Sequence, residues 1–399
     1  MESTFDNPLA ETSRSMVAVK NASIDRILFA AREHLGTEIA FVSRFLEGDM
    51  KELTHVSTDL ELPMGAGYVD PREDSYCWHI AQGRLPELIQ DPADYPFAQT
   101  LGITQLLPVG CHLNTPLRLS DGKIYGSFCC LSRAPDRSMT ERDLGTLRAF
   151  AALAVEQIES TLEAGERHTA LSRSINAVIE ERAIAIAHQP IVALQNREPI
   201  GAEALARFTD AEKRGPDMWF NEAIEIGLAD RLELLAVEKA LATLPKLNAS
   251  HYLSINASPE MVLSGLLEPL LETASKERIV IEVTEHQKVS DFKALKNSLD
   301  RISSHARIAI DDVGAGYAGM RHLVDLGPDL LKLDMSLTRN VHRDPARRAL
   351  VGAMVSFAAD IGSRLVAEGI ENEAEAALMR DLGVDYGQGY LFGRPELTH

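Results

Sequence analysis

Residues 279–314 read IVIEVTEHQKVSDFKALKNSLDRISSHARIAIDDVG, and this stretch decides the fold of the second half of the chain. Two apolar runs, at 279–285 and 307–314, flank an amphipathic segment of helix length at 288–304. Short apolar runs are typical of buried strands, and a helix is the usual connection between parallel strands. The stretch therefore predicts one strand–helix–strand unit of an α/β fold.

The same alternation continues on both sides of this unit. Further strand-like runs lie at 185–193, 199–208, 252–258, 330–336, 364–370 and 387–393. Further amphipathic segments of helix length lie at 230–246, 344–361 and 372–382. Eight strand units over about 220 residues favour a (β/α)8 barrel of the TIM type, and an open parallel sheet stays as the alternative.

The first part of the chain has a different pattern. Residues 1–17 are polar and lack periodicity, so we expect a loose arm, followed by a helix over 17–34. Alternating runs at 39–45 and 52–58 predict one hairpin. A second pair, at 111–120 and 123–132, flanks Asp121-Gly122, a strong turn signal. These features predict an α+β domain built on an antiparallel sheet.

A long helix is predicted after Pro135, where Thr140 and Asp143 can cap its start. Apolar residues then recur at spacings of three and four, in an a/d seam formed by Leu144, Leu147, Ala151, Ala154 and Ile158. The seam covers only about two heptads, fewer than a coiled coil normally needs. A helix packed on its own domain and a dimerising signalling helix both stay open as interpretations.

The composition excludes several classes of protein. Acidic residues number 59 and basic residues 40, so the net charge is −19, which disfavours a nucleic-acid polymer or an anionic membrane as partner. No leader pattern and no apolar window of roughly 18 residues is present, so we expect a cytoplasmic protein without membrane insertion. The four cysteines, Cys77, Cys111, Cys129 and Cys130, are too few for a disulfide scaffold and are expected to be reduced.

Polar and charged side chains recur at the ends of the strand-like runs in the second half. They are Glu203, Asn256, Glu282, Glu285, Asp311, Asp312, Lys332, Asp334, Glu368, Glu371 and Gln388. In a parallel barrel these ends meet on one rim, where carboxylates would repel one another unless cations lay among them. The set is rich in oxygen and poor in histidine and sulfur, which favours Mg²⁺ or Mn²⁺ over zinc.

Asp311 and Asp312 are neighbours, and neighbours on a regular strand point to opposite faces. Both can reach the rim only if the strand ends there, and Gly314 and Gly316 are suited to end it. One aspartate could then bridge two metal ions while the other binds one. Such a pair of metals suits attack of an activated water on a phosphodiester, with Lys332 orienting that water or neutralising charge.

Eight motifs, in order, resemble those of the EAL domain, the bacterial cyclic-di-GMP phosphodiesterase family, over residues 175–399. They are QPIV (189–192), GAEALARF (201–208), LSINASP (253–259), IEVTE (281–285), DDVGAGY (311–317), LKLD (331–334), AEGIE (367–371) and GQGYLFGRP (387–395). The resemblance implies hydrolysis of cyclic-di-GMP to linear pGpG with two divalent cations, Mg²⁺ or Mn²⁺. No metal ligand of the family motifs is lost, but the loop over Val313–Met320 departs from the usual D-F-G-T-G-Y-S-S pattern.

The resemblance also implies a role for each matching residue. The implied ligands of the first metal are Glu203, Asn256, Glu282 and Asp311. Asp311 would bridge to the second metal, which Asp312 would bind directly and Glu368 through water. Lys332 would position the nucleophile, and Glu285 would brace the loop after Asp312. The implied contacts to the dinucleotide are Gln189, Glu203, Leu205, Arg207 and Gln388, and Glu371 would support the rim.

Residues 18–160 resemble a GAF domain, through the segments DSYCWHIAQGR (74–84) and RLSDGKIYGSFCCLS (118–132). The predicted organisation is therefore an arm over 1–17, a GAF-like sensor over 18–160, a helical linker over 161–174 and the barrel over 175–399. The resemblance implies a small-molecule ligand for the sensor, and the seam suggests a homodimer. Two alternatives stay open: a receptor that binds cyclic-di-GMP without cutting it, and an enzyme that is inactive until the sensor binds its ligand.

Overall fold

The computed structural model describes residues 8–209, 214–272, 275–284, 291–314 and 320–398. The chain divides into two compact units between Ala170 and Leu171. Among the described helices, none combines the length and the apolar character that crossing a bilayer requires.

The N-terminal unit contains a six-stranded antiparallel sheet with helices on it. The strands are β1 (Ile39–Phe45), β2 (Met50–Thr58), β3 (Val69–Pro71), β4 (Leu88–Ile89), β5 (Cys111–Arg118) and β6 (Ile124–Ser132), in the order β3-β2-β1-β6-β5-β4. The helices are α1 (Pro8–Leu35), α2 (Tyr76–Ala81), α3 (Gly102–Leu106) and α4 (Glu141–Glu180), and α4 continues into the second unit. The predicted α+β class and both predicted hairpins are confirmed.

The segment predicted as a loose arm is partly helical, because α1 begins at Pro8. Proline is favourable in the first turn of a helix, where its missing N–H has no partner in any case. Ala10, Glu11 and Ala18 then have good intrinsic helix propensity. Missing apolar periodicity over 8–17 therefore did not exclude a helix there, and the arm over 1–17, of which 1–7 lie outside the described residues, stays a prediction.

All five residues of the a/d seam in α4 are buried within their own unit. They pack in one core with Leu28 and Ala31 of α1 and with Leu113 and Phe128 of the sheet. The seam is therefore already covered by the domain that carries it, as the first of the two interpretations requires. The predicted homodimer remains a prediction and would need another surface.

The second unit is a closed barrel of eight strands, so the predicted fold class is confirmed. Its strands are β7 (Ile184–Ala193), β8 (Pro199–Phe208), β9 (Tyr252–Asn256), β10 (Ile279–Thr284), β11 (Arg307–Val313), β12 (Leu330–Leu333), β13 (Arg364–Ala367) and β14 (Tyr386–Gln388). A short strand, β15 (Glu396–Leu397), pairs with β7 outside the ring. The helices are α5 (Pro216–Glu225), α6 (Ala229–Leu241), α7 (Pro259–Ser264), α8 (Glu268–Leu271), α9 (Phe292–Ile302), α10 (Met320–Leu326), α11 (Met335–Thr338), α12 (Pro345–Ile361) and α13 (Glu373–Leu382).

The barrel departs from an all-parallel one at its first strand. β7 runs antiparallel to both of its neighbours in the ring, β8 and β14, whereas the other neighbouring pairs are parallel. Only residues 194–198 connect β7 to β8, which is enough for a hairpin and too short for a helical crossover. The expectation that every strand ends on the same rim was therefore wrong for β7.

Several strands also end earlier than the apolar runs that predicted them. β12 ends at Leu333 because Asp334 caps α11, accepting a hydrogen bond from the Ser336 N–H at 2.9 Å. After β13, Gly369 has a φ of +66°, and after β14, Gly389 has a φ of +153°. A residue with a positive φ turns the chain out of the sheet, so the two apolar segments that follow form the loops of the rim.

Candidate active site

Lys332 lies at the centre of the predicted acidic cluster. Its side chain on β12 is only 1% exposed, and its Nζ is 2.8 Å from Glu282 Oε2 and 2.7 Å from Glu368 Oε1. The same Nζ is 3.4 Å from Asp311 Oδ1 and 3.7 Å from Glu203 Oε2. The structure thus brings one ammonium group and four carboxylates, from five different strands or strand ends, into one buried group.

The register of the strands explains this convergence. Glu282 on β10 is level with Asn256 on β9, and Thr284 is level with Asp311 on β11. On the antiparallel side, Glu203 of β8 is level with Gln189 of β7. Side chains at alternating positions of each strand point into the barrel, so the matching positions of neighbouring strands meet at its mouth.

Glu203 is held by two amide side chains. Asn256 Nδ2 donates to Glu203 Oε1 at 2.8 Å, and Gln388 Nε2 donates to Oε2 at 2.6 Å. Gln388 Nε2 also donates to Gln189 Oε1 at 3.1 Å. Burial opposes ionisation of Glu203, but the Lys332 charge and both amide donors lower the pKa of Glu203 below its usual value. Glu203 is therefore an anion with a fixed orientation.

For Glu282 and Glu368, the nearby positive charge does not offset the effect of burial on the pKa. Burial raises the pKa of Glu282 well above its usual value, although Lys332 opposes this. Burial raises the pKa of Glu368 to about 8. The Lys332 charge opposes this shift, and repulsion from Asp311 adds to it. Carboxylates crowded in this way share too little positive charge, and a divalent cation among them would stabilise their ionised forms.

The donor atoms fit a hard divalent cation. Asp311, Asp312 and Glu368 each offer one oxygen, and these three oxygens lie within 4.8 Å of one another. In addition, Gln388 Oε1 is buried and has no hydrogen-bond partner among the described residues. Oxygen ligands from carboxylates and amides suit Mg²⁺ or Mn²⁺, and the cluster contains no thiolate or imidazole that would favour zinc.

A backbone irregularity brings Asp311 and Asp312 to the same side. β11 ends at Val313, and Gly314, which follows it, has a φ of +102°, so the strand ends beside these two residues as the sequence predicted. In addition, Asp312 has a φ of +58°, and the pairing of β11 with β12 shifts register between Ile310 and Val313. A residue in this left-handed conformation breaks the alternation of a strand, as a β-bulge does.

Other predicted residues lie further from Lys332. Leu205 and Arg207 lie on the same face of β8 as Glu203, and both are half-buried. Glu371 pairs with Arg339, with Nη2 to Oε1 at 2.6 Å, and its role in supporting the rim stays a prediction. Asp334 caps α11 and is not part of the cluster. Glu285 and the loop residues 315–319 lie outside the described residues, so their predicted roles stay predictions.

One residue of the site was not predicted. Ser254 is buried on β9, and its Oγ donates to Glu282 Oε1 at 2.5 Å. This hydrogen bond fixes the carboxylate whose other oxygen contacts Lys332. Ser254 lies two residues before Asn256 and therefore on the same face of the strand. This spacing could have predicted that Ser254 belongs to the site.

The fold and the site together define a class of protein: an eight-stranded barrel with one antiparallel strand and an acidic, oxygen-rich centre at its strand ends. The chain belongs to the EAL domain family, because residues 169–395, more than half of its length, match the model of the EAL domain. Residues 21–158 match the model of the GAF domain.

Three similar proteins illustrate the relationship. Probable cyclic di-GMP phosphodiesterase PdeB of Escherichia coli K12 is 31% identical over 231 residues, which are 54% of this chain and 43% of PdeB. A structure of PaMucR phosphodiesterase in complex with c-di-GMP is 27% identical, with a TM-score of 0.52, and the match covers 57% of this chain and 97% of that one. Klebsiella pneumoniae BlrP1 with manganese and cy-diGMP at pH 6 is 29% identical, with a TM-score of 0.50, over 54% and 56% of the two chains. The chain thus spans less than half the length of PdeB.

Proposed function

We propose that this protein is a phosphodiesterase that hydrolyses cyclic-di-GMP to linear pGpG with two divalent cations, Mg²⁺ or Mn²⁺. The observation that carries the proposal is the position of Lys332, which is buried within 3.7 Å of four carboxylates at the mouth of an EAL barrel. The names of PdeB and PaMucR support the reaction, and the structure of BlrP1 with manganese and cy-diGMP supports the use of a divalent metal.

The proposed metal ligands are the side chains that the site already holds in place. Glu203, Asn256, Glu282 and Asp311 would bind one cation, and Asp311 and Asp312 would bind the other, with Glu368 acting on it through water. When bound, the cations supply an activated water and positive charge for the phosphodiester. The hydrogen bonds from Gln388 to Glu203 and from Ser254 to Glu282 orient two of these ligands before any cation binds.

Lys332 would act on the water and on the phosphate. Although burial opposes its charge, the surrounding carboxylates of Glu203, Glu282 and Glu368 raise the pKa of Lys332 well above its usual value, so it stays an ammonium. A permanent cation in a buried site can hydrogen-bond the attacking water and neutralise the negative charge that develops on phosphate. Since an ammonium group cannot accept a proton, the proposed role of Lys332 is positioning and electrostatic stabilisation.

The dinucleotide would lie over the amide and arginine side chains of β7, β8 and β14. Gln189 and Gln388 are hydrogen-bonded to each other, and Leu205 and Arg207 extend the same face of β8 beyond Glu203. A guanidinium suits a phosphate oxygen, an amide suits a guanine edge, and a leucine suits the face of a base. Glu285 would brace the loop after Asp312, as the family motif implies.

We further propose the organisation that the sequence implied: a GAF-like sensor over 18–160, a linker over 161–174 and the catalytic barrel over 175–399. In this proposal the sensor regulates the barrel in response to a small molecule, and the protein acts in the cytoplasm as a homodimer. The proposal is supported by the matches to both domain models.

The deciding experiment measures pGpG formation by the full-length protein with Mg²⁺, with Mn²⁺ and with EDTA. We expect product with a metal and none with EDTA. Glu203→Ala should lower the rate by at least about 100-fold, since removing even an outer partner of a metal ligand typically costs 10- to 100-fold. Glu198→Ala is the matched control, because Glu198 is exposed and its side chain accepts a hydrogen bond from Asn196 in the β7–β8 turn.

Binding of cyclic-di-GMP without product under either metal would contradict the proposal. If residues 167–399 alone then formed pGpG, the enzyme would be one that its sensor holds inactive. If this fragment also bound without turnover, the protein would be a receptor.

A further inference from the structure

Two cysteines in the N-terminal unit lie in contact with each other. Cys77 on α2 and Cys129 on β6 are both buried, and their Sγ atoms are 3.4 Å apart. All four cysteines of the chain are thiols in this structure. A disulfide has an S–S distance of about 2.05 Å, so an approach of roughly 1.4 Å would join this pair.

The two thiols have different electrostatic surroundings. The hydrogen bond from Cys129, together with the nearby Lys51 ammonium and the Ser43 hydroxyl, lowers the pKa of Cys77 to about 7 despite its burial. Burial and the neighbouring Cys77 raise the pKa of Cys129 well above its usual value. Lys51 is itself buried and forms an ion pair with Asp70 at 3.1 Å. One thiol is thus suited to ionise and attack, and the other keeps its proton.

A second contact holds the protonated partner in place. Asn114 Nδ2 on β5 donates to Cys129 Sγ at 2.8 Å, and both side chains are completely buried. By contrast, burial raises the pKa of Cys130 to about 12 and that of Cys111 to about 11. These two thiols lack the features of a reactive cysteine, so the chain contains an internal comparison for Cys77.

Cys77 also lines a cavity. The cavity has a volume of about 30 Å³, and its lining includes Lys51, Ser75, Tyr76 and His112. A cavity needs roughly 10–15 Å³ to hold one water, so this one admits a molecule of about that size and not a nucleotide. Hydrogen peroxide is close to water in size, and the Lys51 charge would stabilise the oxygen anion that leaves when its O–O bond breaks.

We propose that Cys77 and Cys129 form a redox-active dithiol that hydrogen peroxide oxidises to an intrachain disulfide. The Cys77 thiolate attacks one peroxide oxygen, an S–O bond forms, the O–O bond breaks, and the leaving hydroxide takes the proton that Cys77 has lost. Cys129 sulfur then attacks the Cys77 sulfenic sulfur, the S–S bond forms, and the S–O oxygen leaves as water with the Cys129 proton. In total, two thiols and one peroxide give one disulfide and two waters.

The test treats the reduced full-length protein with hydrogen peroxide and counts its thiols after denaturation. We expect the count to fall from four to two, and a thiol reductant to restore it. Peptide mapping of the oxidised wild type should show Cys77 linked to Cys129 within one chain. This measurement needs no variant, so a substitution that prevents folding cannot obscure it.

Variants separate the two thiols. Cys129→Ser should leave a sulfenic acid on Cys77 that a dimedone probe captures, and Cys77→Ser should keep all of its three thiols. Cys130→Ser is the matched control and should still lose two thiols, because Cys130 neighbours Cys129 in sequence but is not part of the pair. Four thiols after peroxide, or a disulfide between any other pair or between two chains, would overturn the proposal.

Discussion

At the scale of single residues, the acidic centre of the barrel depends on one ammonium group. Lys332 Nζ lies within 3.7 Å of four carboxylates, and its side chain is 1% exposed. Breaking a buried ion pair by removing one partner is strongly destabilising, because the remaining charge keeps its desolvation cost. Lys332 therefore contributes to folding in the metal-free protein as well as to the proposed reaction.

We expect Lys332→Ala to lower the free energy of unfolding of the metal-free barrel by about 3–5 kcal/mol. Mg²⁺ or Mn²⁺ should restore more stability to this variant than to the wild type, because a cation replaces the missing charge. Urea unfolding with EDTA and with metal measures both effects, and Trp219 reports on the barrel in a Trp78→Phe background. Lys296→Ala, which removes an exposed pair with Asp300, is the control and should change little. Equal effects of the two substitutions would refute the argument.

His112 predicts a pH dependence for the N-terminal unit. Burial, and to a lesser degree Lys51, lowers the pKa of His112 from 6.5 to about 3, and its Nδ1 has no hydrogen-bond partner among the described residues. Because the folded pKa lies below the unfolded one, the unfolded chain binds the proton first as pH falls. Stability from this residue is complete above pH 6.5 and is lost as pH falls towards 3, at up to about 1.4 kcal/mol per pH unit.

The variant His112→Asn should therefore lose less stability than the wild type between pH 7 and pH 5, by up to about 2 kcal/mol. Urea unfolding followed by Trp78 in a Trp219→Phe background measures the difference. The exposed His168 supplies the control, and His168→Asn should follow the wild type. If His112→Asn also followed the wild type, protonation of His112 would not be linked to unfolding.

At the scale of secondary-structure elements, the central pairing of the N-terminal sheet allows no side chain at Gly126. This residue on β6 lies opposite Arg44 of β1 and Leu117 of β5. A Cβ atom there would overlap the Ser43 carbonyl oxygen and lie 2.6 Å from its carbonyl carbon. Since the obstacle is backbone, the β1–β6 pairing itself would have to move.

Gly126→Ala should destabilise the N-terminal unit by about 1–3 kcal/mol, the usual cost of overpacking. Gly145→Ala is the opposite case, because Gly145 lies in α4 with open space around its Cβ position. That substitution should stabilise the unit by about 0.5–1 kcal/mol. Denaturation monitored by Trp78 measures the stability of the N-terminal unit in both variants. If Gly126→Ala left this stability unchanged, the strands would be able to separate locally at little cost.

The elements also show what the sequence could and could not predict. Apolar runs and helical periodicity predicted the barrel, and the rule that parallel strands end on one face predicted that Glu203, Glu282 and Asp311 meet. The direction of β7 was missed even though its signal, the five residues 194–198 before β8, was visible. The left-handed conformation of Asp312, where the pairing of β11 with β12 shifts register, had no such signal in the apolar pattern.

At the scale of the whole molecule, one helix belongs to both compact units. The first part of α4 supplies Leu147 and Ala154 to the core of the N-terminal unit. Its last turns supply Ile175 and Val178, 0% and 8% exposed, to the core of the barrel. Residues 162–170 between them are exposed. A barrel fragment should therefore need the end of α4, although the helix precedes the first strand.

This argument predicts different stabilities for barrel fragments that begin at different residues. A fragment over 183–399 loses Ile175 and Val178, and fully burying such side chains contributes about 1.5–3 kcal/mol each, so it should be less stable than 167–399 by roughly 3 kcal/mol or more. A fragment over 160–399 is the control, because it adds only residues with little burial and should match 167–399. Urea midpoints followed by Trp219 measure all three. If 183–399 unfolded at the same urea concentration as 167–399, the last turns of α4 would not be part of the barrel core, and the linker helix could move without affecting the site.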